Sequence, residues 1–230
     1  MISGITILFI AAIIYIIKAG LGDTIAEIGA SPEKRGMISE RKLVGQLKNL
    51  GYSDDDIYHN LYIIKSNQHS TQIDLVLVTK VGLLVFEVKN YAGWIYGSGH
   101  KPYWTQTLNY GKVKNKFYNP IQQNQKHIDD LKQFCSATRG IPIFSVVVFY
   151  GESEFQEVNF IPENHYVIKP YRLNALIQTI ISENTVLPDN YAIGIKQSLN
   201  QYQENGKSEF VRNKHVETVN NMLGKHRVFD

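Results

Sequence analysis

The chain opens with an almost uninterrupted apolar run. From Ile2 to Ile17 no charge occurs, and only Ser3, Gly4 and Thr6 break the pattern; Lys18 is the first charged residue, and apolar character carries on to Leu21. A membrane-spanning helix needs about 17–25 such residues. Residues 1–20 are therefore expected to form a transmembrane anchor, with membrane contact through residues 2–21. Lys18 can run its stem along lipid and place its ammonium among the headgroups. A cleaved signal peptide would open with basic residues and end at a small-residue cleavage site; no Lys or Arg precedes this run and no clean A-x-A follows it, and a buried soluble helix is the other reading. Lys18, Lys34 and Arg35 follow the run and no basic residue precedes it. The positive-inside rule then predicts a single-pass protein, N-terminus outside and soluble domain cytoplasmic. Residues 21–33, punctuated by Gly22, Ser31 and Pro32, read as a linker.

Past the linker the spacing becomes helical and then alternating. Leu43, Val44, Leu47 and Leu50 form a stripe that predicts a helix over 34–50, closed by Gly51. Glu40 falls on the same inward stripe, where a carboxylate is costly unless something pairs with it. Ser53-Asp54-Asp55-Asp56 reads as a helix cap with first-turn acids rather than as a metal site. Strands are predicted at 58–65, 71–78 and 83–89, the last two joined by a hairpin loop at Thr79-Lys80-Val81-Gly82. If Val78 faces Leu83, then Asp74 lies opposite Glu87 and Gln72 opposite Lys89. Opposite residues share a face, and like charges there are destabilising. Lys89 is one compensating charge. A divalent ion is another, since two carboxylates with backbone and water oxygens suit Mg²⁺. On spacing alone, a solvated sheet end with a Lys–Glu pair serves as well.

Asn119-Pro120 carries the chemistry of a helix start. Ile121, Ile128, Leu131 and Cys135 supply its buried stripe, with Gln123 and His127 on a flank. His127 reads either as a contact to phosphate or the metal shell, or as a surface histidine. The region 170–225 reads as mostly helical, with turns near Pro188-Asp189-Asn190 and Asn205-Gly206. With 230 residues, 43% apolar and 20% charged, the chain is neither a disordered tail nor a fibrous repeat. Its single cysteine, Cys135, excludes an internal disulfide and cysteine-rich zinc modules.

Net charge is only +3, yet the charge is unevenly placed. From Lys89 to Lys126 there are six lysines and no Asp or Glu, with aromatic residues interleaved. Lysines attract phosphates and rings stack on unpaired bases. Lys101, Trp104, Lys112, Lys114, Lys116 and Lys126 are therefore expected to contact nucleic acid. Core-packed rings with solvated lysines, or anionic lipid headgroups as the target, are the other readings. Gly93, Gly97 and Gly99 mark this region as strands or loops, with Gly97-Ser98-Gly99 read as a turn.

Several of these pieces recur together in a known family. Gly36 and Glu40, then Thr71-Gln72-Ile73-Asp74, Gly82, Glu87-Val88-Lys89-Asn90-Tyr91 and Gly93 stand in order along the chain. Trp104-Thr105-Gln106 and Asn119-Pro120-Ile121-Gln122-Gln123-Asn124-Gln125-Lys126-His127 follow. The chain resembles the NERD (nuclease-related domain) family, itself similar to the restriction-endonuclease-like PD-(D/E)XK nucleases. Ile73 stands where the wider signature often has proline. The resemblance implies an α/β fold, a restriction-endonuclease-like mixed sheet flanked by helices. Its nuclease-like domain would cover 34–150, with the C-terminal part of the core and a mostly helical extension in 151–230. It implies Asp74 and Glu87 as ligands of Mg²⁺ or Mn²⁺, joined by the backbone carbonyl of Val88. Lys89 would orient or activate water and stabilise charge on the phosphate. Glu40 would complete the acidic set, and Gln123 would line the site. The implied activity is metal-dependent hydrolysis of phosphodiester bonds, DNA ahead of RNA. A non-catalytic nucleic-acid-binding module and a membrane-tethered scaffold are the alternatives.

Overall fold

The computed structural model describes residues 29–65 and 69–223. The apolar segment 2–21 lies outside them, so the expected anchor is not among the described residues. Among those, no helix is long and apolar enough to cross a membrane.

Helix α1 (Pro32–Asn49) begins where the Ser31 side chain accepts from the Lys34 amide, with Pro32 in the first turn. It ends before Gly51, whose φ of 96° is the left-handed conformation that glycine adopts without strain. Next come β1 (Ile57–Ile64), β2 (Ser70–Thr79), β3 (Gly82–Asn90), β4 (Gly93–Ser98), β5 (Tyr103–Leu108) and β6 (Val113–Tyr118). Helix α2 (Pro120–Phe134) precedes β7 (Ile143–Tyr150), β8 (Ser153–Asn159) and β9 (His165–Ile168). Three helices follow: α3 (Leu173–Glu183), α4 (Ile193–Lys207) and α5 (Glu209–Leu223).

The strands make two mixed sheets. The first has the order β1-β2-β3-β7-β9, antiparallel up to β3 and parallel beyond it. Its central strand carries the run Leu83-Leu84-Val85-Phe86, fully buried because helices cover both faces. On one face Leu43 and Leu47 of α1 and Leu173, Ile177 and Ile180 of α3 pack with Leu75, Leu77, Leu84 and Phe86. On the other, Ile128 and Leu131 of α2 and Ile195 and Leu199 of α4 pack with Val76, Val78, Leu83 and Val85. Each such side chain contributes roughly 1.5–3 kcal/mol when buried. Strands β8 and β9 and helices α3 and α4 thus complete the core beyond residue 150.

The second sheet has the order β6-β5-β4-β8. Ile95, Trp104 and Phe117 turn inward from it against Val147, Phe149 and Ile121. Trp104 is fully buried, stacked parallel on Phe149 with ring centroids 6.0 Å apart, and its Nε1 donates to Ser98 O at 3.1 Å. The expectation that Trp104 contacts nucleic acid is overturned, because strand alternation turns its indole into the core. Gly97 is part of strand β4 rather than a turn. A Cβ there would sit 2.1 Å from the Trp104 ring, so only glycine lets the ring lie flat on the strand.

Asn119 fastens α2 to this second sheet. Its Oδ1 accepts from the Ile121 amide at 2.9 Å, and its Nδ2 donates to the carbonyls of Ser98, Gly99 and Lys101. Asn119→Ala is expected to lower stability by about 2–3 kcal/mol, combining a lost helix cap with unpaired buried carbonyls. Asn119→Asp keeps the cap and loses the donors, so it is expected to destabilise nearly as much. Urea unfolding checks both; an Asp variant as stable as wild type would mean that the carbonyl contacts carry no weight.

Candidate active site

The β2–β3 hairpin pairs in the expected register, from Thr79 opposite Gly82 to Leu75 opposite Phe86, and there the ladder stops. On the other side of β2, pairing with β1 passes from His59–Leu75 to Leu61–Ile73, skipping the Asn60–Asp74 position. Asn60 has a φ of 54°, left-handed and outside strand geometry. The face alternation of β2 slips here by one residue. Ile73 packs in the same cluster as Val76 and Val78, whereas Leu75 and Leu77 pack in the other. Such a break frees the intervening residue from the pleat and re-aims its side chain.

That residue is Asp74. Its Oδ2 accepts the Val88 amide at 2.7 Å, standing where a backbone carbonyl of β2 would otherwise pair. The slip also overturns the expectation that Gln72 shares a face with Lys89. The Gln72 amide instead donates to Asn60 Oδ1, while Thr71 turns toward α2 and donates to Asp130.

Glu87 and Lys89 stay together on the side of α2. Lys89 Nζ lies 3.0 Å from Glu87 Oε1 and donates to Gln123 Oε1 at 3.1 Å. His127 Nε2 stands 3.3 Å from Glu87 Oε2. The helix is pinned in this position by Asn124, whose Nδ2 donates to Val85 O at 2.8 Å and to Ser145 Oγ at 2.9 Å. Gln123 and His127, flanking that anchor along α2, therefore meet the end of β3. Glu40 comes from α1, which is tied to the same strand end where Asn90 Nδ2 donates to Ser39 Oγ at 2.8 Å.

Burial sets the electrostatics. Glu87 is desolvated, which disfavours its charge, yet the neighbouring Lys89 and His127 outweigh this and hold it below the usual carboxylate range. Asp74 is pushed well above that range by burial, then by Glu87 and Glu40, with the Val88 amide and Lys89 opposing. Lys89 is desolvated too, but the surrounding anions, Glu87 first, raise its pKa further. The surroundings of Asp74 and Glu87 thus push their pKa values in opposite directions, a pattern associated with functional sites. Glu87 Oε2 and His127 Nδ1 are buried without an aligned hydrogen bond.

The donor set fits a hard divalent ion. It offers the carboxyl oxygens of Asp74 and Glu87, of which Glu87 Oε2 is an unsatisfied acceptor. Among the described residues no three His, Cys, Asp or Glu side chains are grouped as a ready-made cage. A bound ion would therefore draw on the two carboxylates, a backbone oxygen and water.

The structure brings one further residue to the site: His127, partly buried, lies against Glu87; its spacing four residues after Gln123 on a helix was the available signal. Lys101, Lys112, Lys114, Lys116 and Lys126 are all exposed, the first four on or beside the second sheet and the last on α2.

The family model described as nuclease-related domain matches residues 35–150. An uncharacterized protein of Bacillus anthracis is 30% identical over 137 residues, covering 60% of this chain and 63% of that protein. The chain thus spans less than two thirds of this relative's length. No solved structure matches.

Glu40 generates a test of the site's charge. Its carboxyl is pushed from 4.5 up to about 7 by burial and then by Glu87, with Arg41 opposing. Because folding raises this pKa, the unfolded chain ionises first as pH rises. Through this group the native state loses stability between about pH 4.5 and 7. Glu40→Gln is expected to remove that slope, stabilising the chelator-treated protein above pH 7 by on the order of 2 kcal/mol. Urea unfolding across pH reads it; identical slopes in both proteins would contradict the assignment.

Proposed function

The chain belongs to the nuclease-related domain family, and from that premise we propose that it is a metal-dependent phosphodiesterase acting on nucleic acid, DNA ahead of RNA. The observation that carries the reading is the buried Glu87 held by Lys89 and His127, with Asp74 bound to the amide of Val88, the residue after Glu87. Asp74, Glu87 and the Val88 carbonyl would hold Mg²⁺ or Mn²⁺. When bound, the ion would acidify water and offset charge on the phosphate.

The chain's own residues supply the rest. With its pKa raised by Glu87, Lys89 stays charged and acts as a cation rather than as a base. Glu87 and Gln123 hold it in place, so it faces developing negative charge without reorganising. Glu40, with a pKa of about 7, is suited to accept the proton of the attacking water near neutral pH. Lys89 and then His127 offset the burial of Glu87 and favour its ionised form, and His127 stands 3.3 Å from the acid that would ligate. Residues 2–21 form the tether in this reading and leave the domain in the cytoplasm.

The full chain, purified in detergent, is expected to cut oligonucleotides with Mg²⁺ or Mn²⁺ and to stop on addition of chelator. Asp74→Ala and Lys89→Ala are expected to lower the rate at least about a hundredfold. Equal product from wild type and Asp74→Ala would end the catalytic reading. Binding without cleavage by wild type would leave a non-catalytic module.

A further inference from the structure

We infer that the outer face of the second sheet is a stacking platform for single-stranded nucleic acid. The inference rests on the nuclease reading for its substrate class and names which form of nucleic acid the chain takes. Strand pairing sorts the residues. Trp94 pairs with Thr107 and Thr107 with Lys114; Tyr96 pairs with Thr105 and Thr105 with Lys116; Tyr103 pairs with Tyr118. Paired residues share a face. This face is opposite to that of Ile95, Trp104 and Phe117, which lie in the core.

Of the rings on it, Trp94 and Tyr96 are partly buried and the tyrosines around them are exposed. Tyr103 and Tyr118 are 50% and 44% exposed and meet edge to face at 6.3 Å. Tyr110, 93% exposed, stands edge-on to Trp94 at 6.5 Å. Isolated exposed aromatics are unremarkable, but several on one sheet face form a surface that water wets poorly.

Charge decides what covers it. Lys114 and Lys116 are exposed along the edge strand β6, with Lys112 just before it. The acids of this face, Glu154 and Glu157, belong to β8 at the opposite edge, paired with Trp94 and Tyr96. Phosphates are thus drawn to one margin and repelled from the other, which leaves the bases over the rings. A duplex hides its base faces in its own stack, whereas an unpaired strand offers them, and stacking on rings tolerates any sequence.

The two tryptophans give a direct readout, since Trp104 is buried and only Trp94 faces this side. The full chain in detergent, with chelator present to prevent cleavage, is titrated with oligothymidylate. Quenching of tryptophan fluorescence is expected, and Trp94→Phe should abolish the quenching. By anisotropy, Tyr103→Ala and Tyr118→Ala are each expected to weaken binding roughly tenfold, with Tyr103→Phe binding like wild type. Lys114→Ala and Lys116→Ala should each flatten the slope of log affinity against log salt by about 0.7. Asp74→Asn, which keeps an acceptor for the Val88 amide, should bind oligothymidylate as wild type does while failing to cleave with Mg²⁺, so a failed platform and a failed nuclease are read separately. Equal affinity for duplex and single strand would overturn the inference. So would alanine variants of both tyrosines that bind unchanged, or quenching by anionic vesicles with none by oligothymidylate.

Discussion

A side-chain carboxylate standing in for a backbone carbonyl organises this protein. Asp74 takes the Val88 amide at the point where β2 and β3 part. A buried amide left unpaired costs about 1–3 kcal/mol, so a strand gap inside a core needs such a substitute. The substitute here brings a second acid close to Glu87, and the rest of the site answers that crowding. Lys89 and His127 hold Glu87 charged, while Asp74 is pushed toward its neutral form. An ion pair buried for structure alone gains little over apolar residues. A third acid, Glu40, its pKa raised by burial and then by Glu87, joins them, one acid more than a structural pair would need.

The two sheets divide the work. The first is sealed on both faces by helices and fixes the carboxylates. The second is sealed on one face only, by Trp104, Phe117 and their neighbours. The chain passes from the acidic site to that open face within a few residues, from Lys89 at the end of β3 to Trp94 early in β4. Asn119 and Asn124 hold α2 between the sheets, one by the loop carbonyls and the other by Val85 O and Ser145 Oγ. Positions that sit in one motif of the sequence therefore serve two surfaces.

Local chemistry made much of this legible in the sequence. The stripe of Leu43 and Leu47, the Asn119-Pro120 helix start and the register from Val78 opposite Leu83 all follow from spacing and turn residues. The slip at Asp74 was not legible, because it depends on the backbone of Asn60 in another strand. Alternation in β6 separates Lys114 and Lys116 from Phe117. Whether Trp104 or Trp94 faced the core, however, waited on where Phe149 lies. His127 looked equally at home on a surface, since nothing on its own helix shows that Glu87 lies beneath it.

Calorimetric titration of the full chain with Mn²⁺ at pH 6, in two buffers of different ionisation enthalpy, tests the shared ion most directly. Binding with release of a proton is expected in the wild-type chain, since burial and the neighbouring Glu87 and Glu40 raise the Asp74 pKa and a ligating carboxylate must be ionised. Asp74→Asn should lose both the binding heat and the proton. Wild-type protein that takes up no Mn²⁺, or an Asp74→Asn variant that binds it with the same heat and proton release, would contradict the account.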